Sequence, residues 1–153
     1  MKKIFSIIII LFTLNNTCFA QKEGKEKDEE KENKNHIKVP TAVKTAFIKK
    51  YRAATKVTWE KEKGNYEANW GGKSGEDHSV MFTPSGIFVE SVEAISISSL
   101  PKSIPVYISR NYNGAHIIEA GKLTDAAGNK MYDVEIKGKA LLFDLNGKFL
   151  KKE

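Results

Sequence analysis

The sequence predicts an α+β fold, a tandem repeat of two αββββ units in which each helix packs on a four-stranded antiparallel sheet. Three observations predict it. Sliding the chain along itself by 61 positions carries Val39-Pro40 onto Leu100-Pro101, Val43 onto Ile104, Phe47 onto Ile108, Tyr51 onto Tyr112 and Val57 onto Ile118. The same offset carries Phe82 onto Phe143, Gly86 onto Gly147, Phe88 onto Phe149 and Val89 onto Leu150. Within each span, apolar residues four apart give way to period-two alternation broken by glycine turns, the change of period expected where a helix precedes strands. The expected organisation is 1–20 as a signal peptide, 21–38 as a charged tether, 39–99 as the first unit and 100–153 as the second.

At the amino terminus, Lys2 and Lys3 precede the apolar run 4–14, and Cys18-Phe19-Ala20 sets small residues three and one positions before Gln21. This is the pattern of a secretory signal peptide cut after Ala20, and the run is short for a bilayer span. An exported chain beginning at Gln21, periplasmic or secreted and without a membrane span, is the expectation. Cys18 is the one cysteine, so cleavage there leaves no thiol for disulfides, thiolate metal sites or a cysteine nucleophile. The alternative is a lipoprotein anchored through Cys18, for which Asn15-Asn16-Thr17 is a poor match. Residues 21–38 are almost wholly Lys, Glu, Asp, Asn and Gly. They lack the apolar side chains that would offset ordering entropy and read as a solvated tether.

The net charge of +6 becomes +4 once Lys2 and Lys3 are removed. The charges are mixed in sign, with no basic stripe interleaved with aromatics, so nucleic acid is not an expected partner.

The first helix should open at Val39-Pro40, where proline is tolerated, carry the stripe Val43, Phe47 and Tyr51, and end near Tyr51 or Arg52. Strands follow at 57–60 and 66–70 across Lys63-Gly64-Asn65. After the loose connection 71–75, a second hairpin joins 79–82 to 87–90 through Pro84-Ser85-Gly86. The Ser/Ile stretch 92–99 could extend the last of these strands. In the second unit Ile104, Ile108 and Tyr112 form the helical stripe, with Pro101 and Pro105 near its start and Gly114 where it stops. Strands are expected at 115–123, 130–137, 139–144 and 148–151, the last pair joined by Asn146-Gly147. Phe47, Tyr51, Trp59, Ile108, Tyr112, Val134 and Phe143 carry the apolar phase and are expected in the core.

The residues just named resemble the secreted bacterial PepSY-like proteins, whose fold is related to that of the β-lactamase inhibitory protein. The resemblance rests on Val39-Pro40 with Val43, Phe47 and Tyr51, on Val57-Thr58-Trp59-Glu60, Tyr66-Glu67-Ala68 and Phe82 with Gly86. In the second unit it rests on Leu100-Pro101, Tyr112, Tyr132-Asp133-Val134 and the run from Phe143 to Gly147. It implies a sheet surface that binds another protein, as the inhibitor does. The inhibitor's repeats are stapled by disulfides, which the mature chain here would lack.

Catalytic, cofactor and metal sites are not expected. His36, His78 and His116 have no spacing that sets two on one helix face. Asp144-Leu145-Asn146-Gly147 shares Asp-x-Asn-Gly with calcium loops, but its glycine comes fourth where the loop needs it sixth, and no distal carboxylate follows at the twelfth position. It reads as a hairpin turn. Opposite the aromatic phase lie Glu60, Glu67, Asn69, Glu119, Asp133 and Glu135, the candidate partner-binding residues, on a face expected to be solvated. With these side chains in water, replacing Glu67 and Asp133 by Ala is expected to change stability by no more than about 0.5 kcal/mol.

The leading functional expectation is an exported, non-enzymatic binding module acting through this polar face on another exported protein, with inhibition of a periplasmic or secreted enzyme as one form of it. The alternative is a structural envelope protein held by its charged tether. An enzyme would need a carboxylate pair such as Glu67 with Asp133 brought together across the repeats.

Overall fold

The computed structural model describes residues 37–152. The expected signal peptide, Cys18, His36 and all but the last two residues of the expected tether lie outside them. The elements run α1 (Thr41–Lys50), β1 (Thr58–Glu62), β2 (Asn65–Trp70), β3 (His78–Phe82), β4 (Phe88–Ala94), a 3-10 turn (Ile97–Ser99), α2 (Ser103–Asn111), β5 (Ile117–Asp125), β6 (Lys130–Ile136), β7 (Lys139–Phe143) and β8 (Phe149–Lys152). Element kinds and order follow the sequence pattern, with boundaries displaced by a few residues. The stretch after Glu90 continues β4 to Ala94 and then breaks into the 3-10 turn.

The division into two four-stranded sheets does not hold. All eight strands form one antiparallel sheet in the order β1 to β8. Its middle seam pairs β4 with β5, from Glu90 opposite Asp125 to Ala94 opposite Gly121. Gly121 belongs at this seam, because a Cβ there would run into Val92 Cγ1.

Both helices cover the same side of the sheet. Under α1, Val39, Val43 and Phe47 pack with Ala68, Val80 and Phe82. Under α2, Leu100, Ile104 and Ile108 pack with Ala120, Val134, Ile136, Leu141 and Phe143. Of the expected core residues, Phe47, Ile108, Val134 and Phe143 are buried. Tyr51, Trp59 and Tyr112 are partly buried against the same clusters. Phe47 meets both Trp59 and Trp70 edge-on, with ring centroids 5.3 Å apart in each case.

The 61-residue offset reappears as geometry. Tyr51 N–H donates to Phe47 O and Tyr112 N–H to Ile108 O, closing the two helices alike. Register shifts fall at Met81/Phe82 and at Leu142/Phe143. Gly86 and Gly147, with φ of +81° and +80°, lie against the first turns of α1 and α2, where added Cβ atoms would meet Ala42 O and Ser103 Oγ.

Three hairpins use one turn. In each, Thr83, Asp125 or Asp144 accepts through its backbone carbonyl from a glycine three residues on, and through its side chain from the N–H four residues on. Asp144 Oδ1 takes the N–H groups of Asn146 and Lys148 at 2.9 and 2.8 Å. The carboxylate of the calcium-like motif thus serves its own backbone. The matching bonds at Asp125, led by the Asn129 side chain, hold its carboxyl below the usual range.

Candidate partner-binding face

Cross-strand partners in an antiparallel sheet share a face, so the registers assign the side away from the helices residue by residue. One row across the strands reads Glu60, Glu67, Met81, Glu90, Asp125. The next reads Thr58, Asn69, Ser79, Val92, Leu123, Met131. A third reads Ala94, Gly121, Asp133, Leu142, Lys151. Glu119, Glu135 and Ala140 form a shorter fourth. All six candidate residues therefore share one face of one sheet, as the alternation requires. Glu60, Glu67 and Asn69 sit at the β1–β2 end, and Glu119, Asp133 and Glu135 on β5 and β6.

The face is not uniformly solvated, which corrects the expectation. Glu60 is exposed and Glu119, Asp133 and Glu135 are half-buried. Glu67 is 6% exposed and Asn69 4%. Met81, Leu123 and Leu142 are buried on this side too. The physical reason is position: β2 is an interior strand, and Glu67 is walled by Glu60 and Met81 across the strands and by Asn65 and Asn69 along its own. The carboxylate pair that an enzyme reading would need is also not formed. Glu67 on β2 and Asp133 on β6 lie four strand spacings apart, roughly 19 Å along the sheet.

Like charges stand directly opposite one another at three places, Glu60 with Glu67, Glu90 with Asp125 and Glu119 with Glu135. Such pairs disfavour a sheet. Burial pushes the Glu67 carboxyl up to about 7; the Glu62 and Glu60 charges add to the rise, while the Ser79 hydroxyl and the Asn69 amide work against it. Asn69 Oδ1 is enclosed without a hydrogen-bond partner.

Alternation alone did not reveal the parts of Glu90 and Asp125. Their signal is the phase of β4, in which Glu90, Val92 and Ala94 alternate away from the helices once the seam with β5 fixes the register. Among the described residues, no group of three His, Cys, Asp or Glu side chains could hold a metal ion. No helix among them is long and apolar enough to cross a membrane.

No protein-family model and no curated protein matches the chain. Solved structures do. A candidate periplasmic protein from Bacteroides eggerthii is 18% identical, with a TM-score of 0.60 over 75% of this chain and 88% of that one. A DUF2874 family protein from Bacteroides ovatus is 20% identical, with a TM-score of 0.59 over 74% of this chain and 86% of that one. A BLIP-like protein from Bacteroides fragilis is 23% identical, with a TM-score of 0.56 over 74% and 85%. The likeness is one of fold, and the fold is BLIP-like: two helices on an eight-stranded antiparallel sheet.

Proposed function

We propose that the chain is an exported, non-enzymatic binding module whose open sheet face docks a basic surface of another exported protein. The single observation that carries this is the set of carboxylates facing one another across β1–β2, β4–β5 and β5–β6. They sit on the side the helices leave uncovered, in a chain whose net charge is positive. Local arrangements that work against stability concentrate at functional sites. Charge complementarity also steers encounter and selects partners.

Further readings accompany this one. The recurring helix closures, bulges and glycine contacts support a duplicated αββββ unit whose two copies share a sheet. The motif resemblance supports membership of the PepSY-like family, and the amino-terminal pattern supports export through a signal peptide. A BLIP-like neighbour makes inhibition of an exported enzyme the form of binding to test first.

Affinity capture from an envelope extract with the mature chain tests the proposal. It should recover one stoichiometric protein, released as salt screens the contact. Glu60→Gln with Glu135→Gln should weaken capture about tenfold and flatten its salt dependence. Recovery of bulk envelope material alone, or capture indifferent to both salt and these substitutions, would contradict it.

A further inference from the structure

We propose, resting on the reading of this face just given, that its β1–β2 end is a seat for one arginine side chain of the partner, formed by Asn69 Oδ1 and the carboxylates of Glu67 and Glu60. Asn69 is 4% exposed and its side-chain carbonyl oxygen has no hydrogen-bond partner, an arrangement that destabilises the fold unless a donor reaches it. The Asn69 amide supports Glu67, so what this end still offers is acceptors.

The side chains around Glu67 sharpen the point. From β1 the face receives Thr58, Glu60 and Glu62, and from β3 Ser79 and Met81, by register with β2. Every charged side chain in that set is a carboxylate. Of the basic residues nearby, Lys63 lies 3.6 Å from Glu62 at the turn, which leaves Glu60 and Glu67 to the seat, and Lys61 points to the helix side, 5.6 Å from the Tyr66 ring.

Guanidinium chemistry fits this set. It carries five N–H donors and no acceptor in a planar fork, and so can reach a carboxylate and a neighbouring carbonyl oxygen at once. It is also more weakly hydrated than an ammonium, which makes it the better cation to bring against buried groups such as Met81 and Glu67. A consequence follows for pH. The seat binds arginine with Glu67 ionised, and burial holds that carboxyl up to about 7, so affinity rises with pH through neutrality.

The experiment titrates the mature chain with N-acetyl-arginine amide and watches the Glu67 carboxyl carbon and the Asn69 side-chain amide by NMR. N-acetyl-citrulline amide and N-acetyl-lysine amide serve as controls. The arginine probe should shift both signals, with its binding constant about tenfold or more higher at pH 8 than at pH 5.5. Citrulline should shift neither, and lysine should bind more weakly. Glu67→Gln and Asn69→Ser should abolish the response while the backbone amide spectrum stays native; if Asn69→Ser misfolds, Glu67→Gln carries the test. Equal shifts from citrulline, equal binding of lysine, shifts centred on Glu119 and Glu135, or affinity independent of pH would each overturn the seat. Salt-sensitive capture of a protein with no arginine response at Glu67 would sink this inference and leave the general docking face standing.

Discussion

Glu67 shows how far single residues are legible. Period-two alternation with Tyr66, Ala68 and Trp70 set its side away from the helices, and the structure agrees. Its burial was not legible, because alternation reports direction while burial depends on what the strands on either side place next to it. Replacing Glu67 is therefore not silent. Its folded pKa lies above the unfolded value, so its contribution to stability is fully present below about 4.5 and is lost as pH rises through about 7. A shift of that size corresponds to on the order of 3 kcal/mol. Urea unfolding of the wild type should show stability falling across that window, and Glu67→Gln should remove the fall and be the more stable protein at pH 8 by about 1–3 kcal/mol. Asp125 works the other way: its lowered pKa gives stability that disappears as pH drops through the acid range. Glycines give a second test at this scale. Gly138 has φ of +73° with open space around it, whereas a Cβ on Gly86 would lie 2.6 Å from Ala42 O. Gly138→Ala should cost about 1–2 kcal/mol for the left-handed backbone alone, and Gly86→Ala measurably more, as the thermal midpoints will show.

At the scale of elements the periodicities were sufficient. Helix stripes, strand runs and glycine turns appeared in their sequence order because each is a local property of a few side chains. The Asn146-Gly147 hairpin is real, but its turn is built by the Asp144 carboxylate and by Gly147 at φ +80°. The run Ala140 to Phe143, within the strand expected at 139–144, is apolar on both phases, as suits a strand covered on both sides, and Leu142 is buried away from the helices. Packing should register in stability accordingly. Phe143 is fully buried among Tyr107, Phe149 and the α2 stripe, so Phe143→Ala should cost about 3–5 kcal/mol. Trp59, on an edge strand and only partly buried, should cost about 2–3 kcal/mol on truncation. Denaturant unfolding of the two variants checks the order.

At the scale of the molecule, the seam between β4 and β5 is what the sequence concealed. A strand's pattern shows which face is covered but not whether its edge is paired, so two closed units and one continuous sheet read alike. One sheet predicts one cooperative transition. Trp59 and Trp70 both lie in the cluster under α1, so tryptophan fluorescence follows that half, while far-ultraviolet dichroism follows the whole. Their urea midpoints should coincide, and two separated transitions would argue for independent units.

The central claim is that this sheet keeps a buried carboxylate for binding rather than for stability. The most direct measurement is capture of the recovered partner by Glu67→Gln at pH 8. The account predicts capture weakened about tenfold, roughly 1.4 kcal/mol, in a protein more stable than the wild type. Capture at wild-type strength by that variant would contradict it.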